Sequence, residues 1–118
     1  ISVKQLIMDG KIVVGVGNIY ASEALFLSGI RPGNASKRIS RARYWKLVDA
    51  IKFVLERAIE QGGTTLRDYV GASGLPGYFS VKLNVYGREG EKCNQCAAII
   101  RSKVLAQRTS FYCPTCQG

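Results

Sequence analysis

From Ser40 onward the chain shows its clearest periodicity. Leu47, Val48, Ile51, Val54, Leu55, Ala58 and Ile59 recur at intervals of three and four, while Arg43, Lys46, Asp49, Lys52, Glu56 and Glu60 fall on the opposite side. That spacing predicts an amphipathic helix with one core-facing stripe and a solvated back. Ser40 is placed to cap its first turn, since a serine oxygen can accept a backbone N–H that lacks a helical partner, and Gly62-Gly63 should end it. Two shorter apolar segments come first. Val3 to Met8, together with residues 12–14, predicts a short helix or turn running into Gly15-Val16-Gly17-Asn18. Residues 19–28 predict a second helix that stops at Gly29, with Pro32 just beyond.

After residue 63 the helical pattern dissolves. Gly71, Ser73, Gly74, Pro76 and Gly77 punctuate residues 64–78 in the manner of a mobile surface loop. Val81, Leu83 and Val85 then alternate as a strand does, and residues 99–103 and 105–112 predict the two arms of a hairpin. The expected fold class is α+β: a small helical domain over residues 1–63, a Gly-rich loop region over 64–80, and a β-ribbon over 81–118.

The cysteines turn that ribbon into a metal site. Cys93-x-x-Cys96 and Cys113-x-x-Cys116 are separated by sixteen residues, and the chain has no other cysteine and no histidine. Two such knuckles can each give a pair of thiolates to one tetrahedral Zn²⁺, so the expected cofactor is one zinc held by Cys93, Cys96, Cys113 and Cys116. With four protein ligands no position is left for water, and the metal should be structural. The rival reading, a redox dithiol, needs one CxxC at a helix start in an α/β pattern, which this tail lacks.

Charge narrows the partner. Seventeen Lys and Arg against eight Asp and Glu give a formal net charge of +9, and four thiolates with one Zn²⁺ lower it to about +7. Such a surface suits a polyanion, a nucleic acid or an anionic membrane, unless it is merely a basic soluble domain. No apolar run approaches membrane-spanning length and no signal peptide opens the chain, so the expected location is cytoplasmic. Ile1 is no initiator, and the chain is expected to be a piece of something longer.

Three features can meet phosphate. Gly15-Val16-Gly17-Asn18 lies where a helix should begin; Gly17 lets a backbone approach closely, and Asn18 can either cap the helix or offer its side-chain NH₂ to a phosphate oxygen. Lys37, Arg38, Arg41, Arg43 and Lys46 crowd the approach to the third helix, and Arg101, Lys103 and Arg108 decorate the ribbon. Each cluster is either a backbone-tracking surface or a solvated basic face. Arg108, five residues before a ligand cysteine, stands where a metal-pinned hairpin can press a guanidinium onto a phosphate. No acid/base pair or nucleophile triad is visible, and hence no self-contained active site.

Longer motifs carry a resemblance. Gly15-Val16-Gly17-Asn18-Ile19-Tyr20-Ala21-Ser22-Glu23, Gln61-Gly62-Gly63-Thr64-Thr65, Pro76-Gly77-Tyr78-Phe79, Val85-Tyr86-Gly87-Arg88 and Gln107-Arg108-Thr109-Ser110-Phe111-Tyr112-Cys113 together resemble the C-terminal half of bacterial formamidopyrimidine-DNA glycosylases, over essentially the whole chain. The resemblance implies a helix-two-turns-helix domain followed by a zinc ribbon, gripping double-stranded DNA, damaged or abasic, while a base is flipped out. It implies a parent enzyme of base-excision repair, associated with the bacterial nucleoid, that excises 8-oxoguanine and formamidopyrimidines and cleaves the abasic strand by β,δ-elimination. On this pattern Asn18 is the phosphate-binding asparagine, with Gly17 beside it. Arg108 is the ribbon arginine of the flanking phosphates and of δ-elimination, and Arg67 lies in the loop that closes over the flipped base. The family nucleophile is an N-terminal proline, whereas this chain begins Ile1-Ser2 and its prolines are internal amides. The expectation is a DNA-binding fragment, inactive alone, whose partner includes the family's N-terminal catalytic domain, with the first helix of the helix-two-turns-helix domain also missing. A zinc-ribbon module that binds RNA or protein in a larger assembly is the competing expectation.

Overall fold

The structure is a computed structural model that describes residues 1–9, 17–60 and 83–118. Helix α1 spans Val3–Met8, α2 Asn18–Ser28 and α3 Arg41–Glu60; a single 3-10 turn covers Ser36–Arg38, and strands β1 (Arg101–Leu105) and β2 (Arg108–Tyr112) form a hairpin.

Six residues are too few for a helix to persist unaided, so α1 depends on its surroundings. Ser2 and Gln5 form a reciprocal capping box: the Gln5 N–H donates to the Ser2 hydroxyl at 3.2 Å, and the Ser2 N–H donates to Gln5 Oε1 at 3.0 Å. The Val3 and Lys4 N–H groups, which no helical carbonyl can reach, donate to Asn34 O and Pro32 O. The segment after α2 therefore finishes the start of α1.

Helix α2 is the centre of the molecule. Every residue from Ala21 to Phe26 is buried, including Ser22 and Glu23. Its last turn closes on Gly29 at φ +75°, with the Gly29 and Ile30 N–H groups donating to Phe26 O and Leu25 O. Only glycine takes that left-handed conformation without strain. Ala21, Ala24 and Leu25 pack with Val3, Ile7, Leu47, Ala50, Ile51 and Val54 in the first core, as the periodicity of α3 predicts. Val48, expected on the core-facing stripe, is instead exposed at 36% and is not part of this core. Ser40 caps α3, its hydroxyl accepting the Arg43 N–H at 3.2 Å. Gly62-Gly63 lies outside the described residues.

Phe26 points the other way, into a second core made with Val85, Cys93, Ile100 and Cys113. The ribbon thus shares α2 with the helical part. Strands β1 and β2 pair antiparallel with Leu105 opposite Arg108, leaving a two-residue turn at Ala106-Gln107. Both turn residues have positive φ, 50° and 67°, the backbone twist that matches a tight hairpin.

Two sequence expectations are corrected here. Leu83 and Val85 are not in a strand, because the N–H groups of Asn84, Val85 and Tyr86 all donate to the Glu23 carboxylate, at 2.7–2.9 Å, and none is left for a ladder. Arg43 is not on a solvated back: its guanidinium donates to Gly29 O at 2.9 Å and Gly118 O at 2.8 Å. Arg31 reinforces the same joint through Gln117 O and Pro114 O and stacks over Tyr112. Gln117, fully buried, accepts from the Cys113 N–H and donates to Ile30 O, both at 2.8 Å.

Candidate metal centre and anion-facing site

The four cysteine sulfurs lie within 4.8 Å of one another. Cys93 and Cys116 are 3.8 Å apart at sulfur, Cys96 and Cys113 3.4 Å. A tetrahedron of Zn–S bonds near 2.3 Å has edges of about 3.8 Å, so the donor set fits one zinc ion. Backbone geometry prepares it: the N–H groups of Gln95 and Cys116 point at the Cys93 and Cys113 sulfurs. Burial acts to raise the Cys93 thiol, but the Gln95 and Cys96 N–H groups outweigh it and bring it down to about 7. Burial and the neighbouring sulfurs push Cys116 up. Four sulfurs this close resist becoming thiolates together unless a dication neutralises them. The site is a structural zinc site whose ligand set leaves no open position.

The second cluster joins both ends of the chain. Lys4, on α1, is 2% exposed. Its ammonium donates to Asn18 Oδ1, and to Ser110 Oγ at 2.7 Å across 106 positions of sequence. The Asn18 amide nitrogen in turn donates to Thr109 O at 3.1 Å. Arg108 precedes these two ribbon residues and is exposed at the hairpin tip. Burial first, and then the positive charge of Arg108, lower Lys4 from 10.5 to about 8. Lys4, Gln5, Asp9, Leu105 and Arg108 line a cleft of about 280 Å³. Lys4 and Arg108 therefore share one cleft, and the Asn18 amide is tied to the same lysine and to the residue after Arg108, so that donor groups able to meet an anion are gathered in one region.

Several expectations meet here and others do not. Asn18 does not cap α2: Gly17 is the N-cap residue, Asn18 is the first helical residue, and its side chain turns to Lys4 and the ribbon. Gly17 is exposed, and a side chain added there would meet nothing within 4 Å among the described residues. Arg108 stands close to the Asn18 partners, as its place on the ribbon requires. Arg67 lies outside the described residues. Lys4, Ser110 and Glu23 were missed as functional residues. A lysine between Val3 and Ile7, both on the buried face of a short helix, was the one signal available for Lys4.

Comparison with known proteins identifies the family and the fold. The family described as "Formamidopyrimidine-DNA glycosylase H2TH domain" matches residues 1–70, and that described as "Zinc finger found in FPG and IleRS" matches residues 90–118. The chain is similar to the formamidopyrimidine-DNA glycosylase of Magnetococcus marinus, with 57% identity over 117 residues, covering 99% of this chain and 42% of the relative. It is 60% identical over 115 residues to that of Alteromonas mediterranea, covering 98% and 43%. The chain thus spans less than half the length of these curated relatives. Among solved structures, a complex between the Lactococcus lactis Fpg and abasic site containing DNA superposes with TM-score 0.85 at 34% identity, covering 98% of this chain and 42% of that one. A complex of the Lactococcus lactis protein with FAPY-dG containing DNA gives 0.84 at the same identity and coverage.

Proposed function

This chain belongs to the formamidopyrimidine-DNA glycosylase H2TH domain family, and we propose on that premise that it is the DNA-gripping part of a base-excision-repair glycosylase and abasic-site lyase acting on oxidised purines. The observation that carries the proposal is the convergence of Asn18 and Arg108, from opposite ends of the chain, on one buried lysine. Relatives solved with abasic and formamidopyrimidine DNA support the choice of partner.

In this reading the exposed Arg108 guanidinium forks the oxygens of a backbone phosphate, and the Asn18 NH₂ donates to the same phosphate or its neighbour. Gly17, exposed beside Asn18, lets the strand approach the backbone closely. A guanidinium is poorly suited to giving up a proton, so the contribution of Arg108 to δ-elimination is to stabilise negative charge on the departing phosphate. Residues 1–63 and 81–118 act as the two halves of the grip, and Arg67, in the 64–80 region, is assigned to DNA binding by the family resemblance alone. Base removal falls to the portion of the relatives that this chain does not match. Lys4 does not substitute as an amine nucleophile, because it is buried and its ammonium is engaged by two acceptors. Borohydride should therefore trap no covalent adduct between this chain and abasic DNA; a trapped adduct would refute the assignment of the chain as a grip alone.

The direct test is binding of the zinc-loaded chain to a duplex with an abasic analogue, followed by anisotropy across a salt series, beside an undamaged duplex and an RNA hairpin. Log K should fall against log salt with a slope of about −0.9 for each phosphate neutralised. Arg108→Ala should weaken binding by about 1–3 kcal/mol and flatten the slope. A salt-independent isotherm, or tighter binding to the RNA hairpin, would overturn the proposal.

A further inference from the structure

We infer that Lys4 is a positioning residue that sets the polarity of the Asn18 side-chain amide, turning its NH₂ group toward the ribbon and the incoming phosphate. This inference rests on the DNA-gripping reading above and adds a residue to it.

An asparagine amide is nearly symmetric in shape, and only its hydrogen-bond partners decide which end faces which way. At Asn18 the two orientations have opposite consequences. With the NH₂ outward the residue donates to phosphate; with the carbonyl outward it presents an acceptor to an acceptor. Lys4 removes the second option. A lysine ammonium has three hydrogens and no lone pair, so the atom of Asn18 facing it must be Oδ1. Nδ2 then faces the ribbon, where Thr109 O takes one hydrogen at 3.1 Å and the other remains for a phosphate oxygen. Ser110 Oγ, fully buried, accepts a further Lys4 hydrogen and holds the ammonium in place. Because Thr109 and Ser110 follow Arg108 directly in β2, the same contacts set the Asn18 amide and the Arg108 strand in one frame.

Packing alone does not account for a lysine here. A methionine of similar length would fill the space without burying a cation beside Arg108. A donor-only side chain is the property that a methionine lacks and the amide needs.

The test is a double-substitution cycle on abasic-analogue duplex binding, using zinc-loaded chains. In the wild-type background Asn18→Ala should weaken binding by about tenfold, and in a Lys4→Met background by less than about twofold, because the amide is no longer held outward. Lys4→Arg, also donor-only, should retain most of the Asn18 effect. Lys4→Gln, which offers both a donor and an acceptor and is the gentler change if the methionine variant folds poorly, should lose it. An Asn18→Ala penalty of equal size in wild-type, Lys4→Met and Lys4→Gln chains would overturn the inference and leave Lys4 a packing residue. A second readout needs no DNA. In the free protein the Asn18 NH₂ hydrogens should show a nuclear Overhauser contact to Thr109 that vanishes in Lys4→Gln; persistence of that contact would also overturn it. Failure of the wild-type chain to bind duplex, with the contact behaving as expected, would refute the DNA reading and not the amide assignment.

Discussion

Lys4 shows how one side chain can oppose stability and serve a site at the same time. Its ammonium is lowered from 10.5 to about 8 in the folded chain, by burial and then by Arg108. Below pH 8 both folded and unfolded chains carry the proton, and the cost of the buried charge is fully present. Between about 8 and 10.5 the folded chain releases it first, the unfolded chain binds more protons, and stability rises with pH. Urea unfolding of wild-type and Lys4→Met chains from pH 7 to 10.5 should show the wild type gaining on the variant by up to about 3 kcal/mol. Arg108 and Asp9 are the other charged groups that line the cleft with Lys4. Parallel curves would show that Lys4 keeps its proton. Glu23 makes the complementary choice: a buried carboxylate that takes three consecutive backbone N–H groups, holding residues 84–86 to α2.

Among the elements, the hairpin carries the most local strain. Ala106 and Gln107 occupy left-handed backbone that an L-residue with a Cβ adopts at a cost of about 1–2 kcal/mol each. Asparagine and glycine fill such turns at less cost. Ala106→Asn with Gln107→Gly should therefore raise stability by about 1–2 kcal/mol, read as a higher thermal midpoint, with the β1–β2 register unchanged. No change in midpoint would mean that the turn is set by its strands alone.

The elements also differ in how much the sequence disclosed. Helix α3 was legible because twenty residues repeat one apolar stripe, and the zinc ligands because their spacing has few other uses. The stretch 83–85 alternates like a strand, yet its N–H groups go to a carboxylate sixty residues earlier, a partner that local pattern cannot reveal. Arg43 misled, and Lys4 went unnoticed, for the same reason. A charged residue at helical spacing is ordinarily solvated, and only the tertiary arrangement brings the Gly29 and Gly118 carbonyls to Arg43 and an amide oxygen to Lys4. Asn18 fell between two local readings, and the contact that decided between them comes from residue 4.

At the scale of the whole molecule, metal and helices are thermodynamically joined. Phe26 belongs to the ribbon core and Gln117 ties the Cys113 N–H to Ile30. Chelation at neutral pH should release on the order of 10 kcal/mol of folding free energy from the ribbon and also loosen the end of α2. Stepwise chelator titration followed by far-ultraviolet dichroism should show helical signal falling with the zinc-dependent signal; full retention of helix after zinc removal would show the two cores to be independent. Arg31 and Arg43 bridge the same seam from outside, each reaching two carbonyls. Those bridges leave no free swivel between the helices and the ribbon among the described residues. In solution the two should share a single rotational correlation time, so that ¹⁵N relaxation in α3 and in β2 reports one tumbling body. Any search along a polymer would then be made by a rigid clamp face with one diffusion tensor.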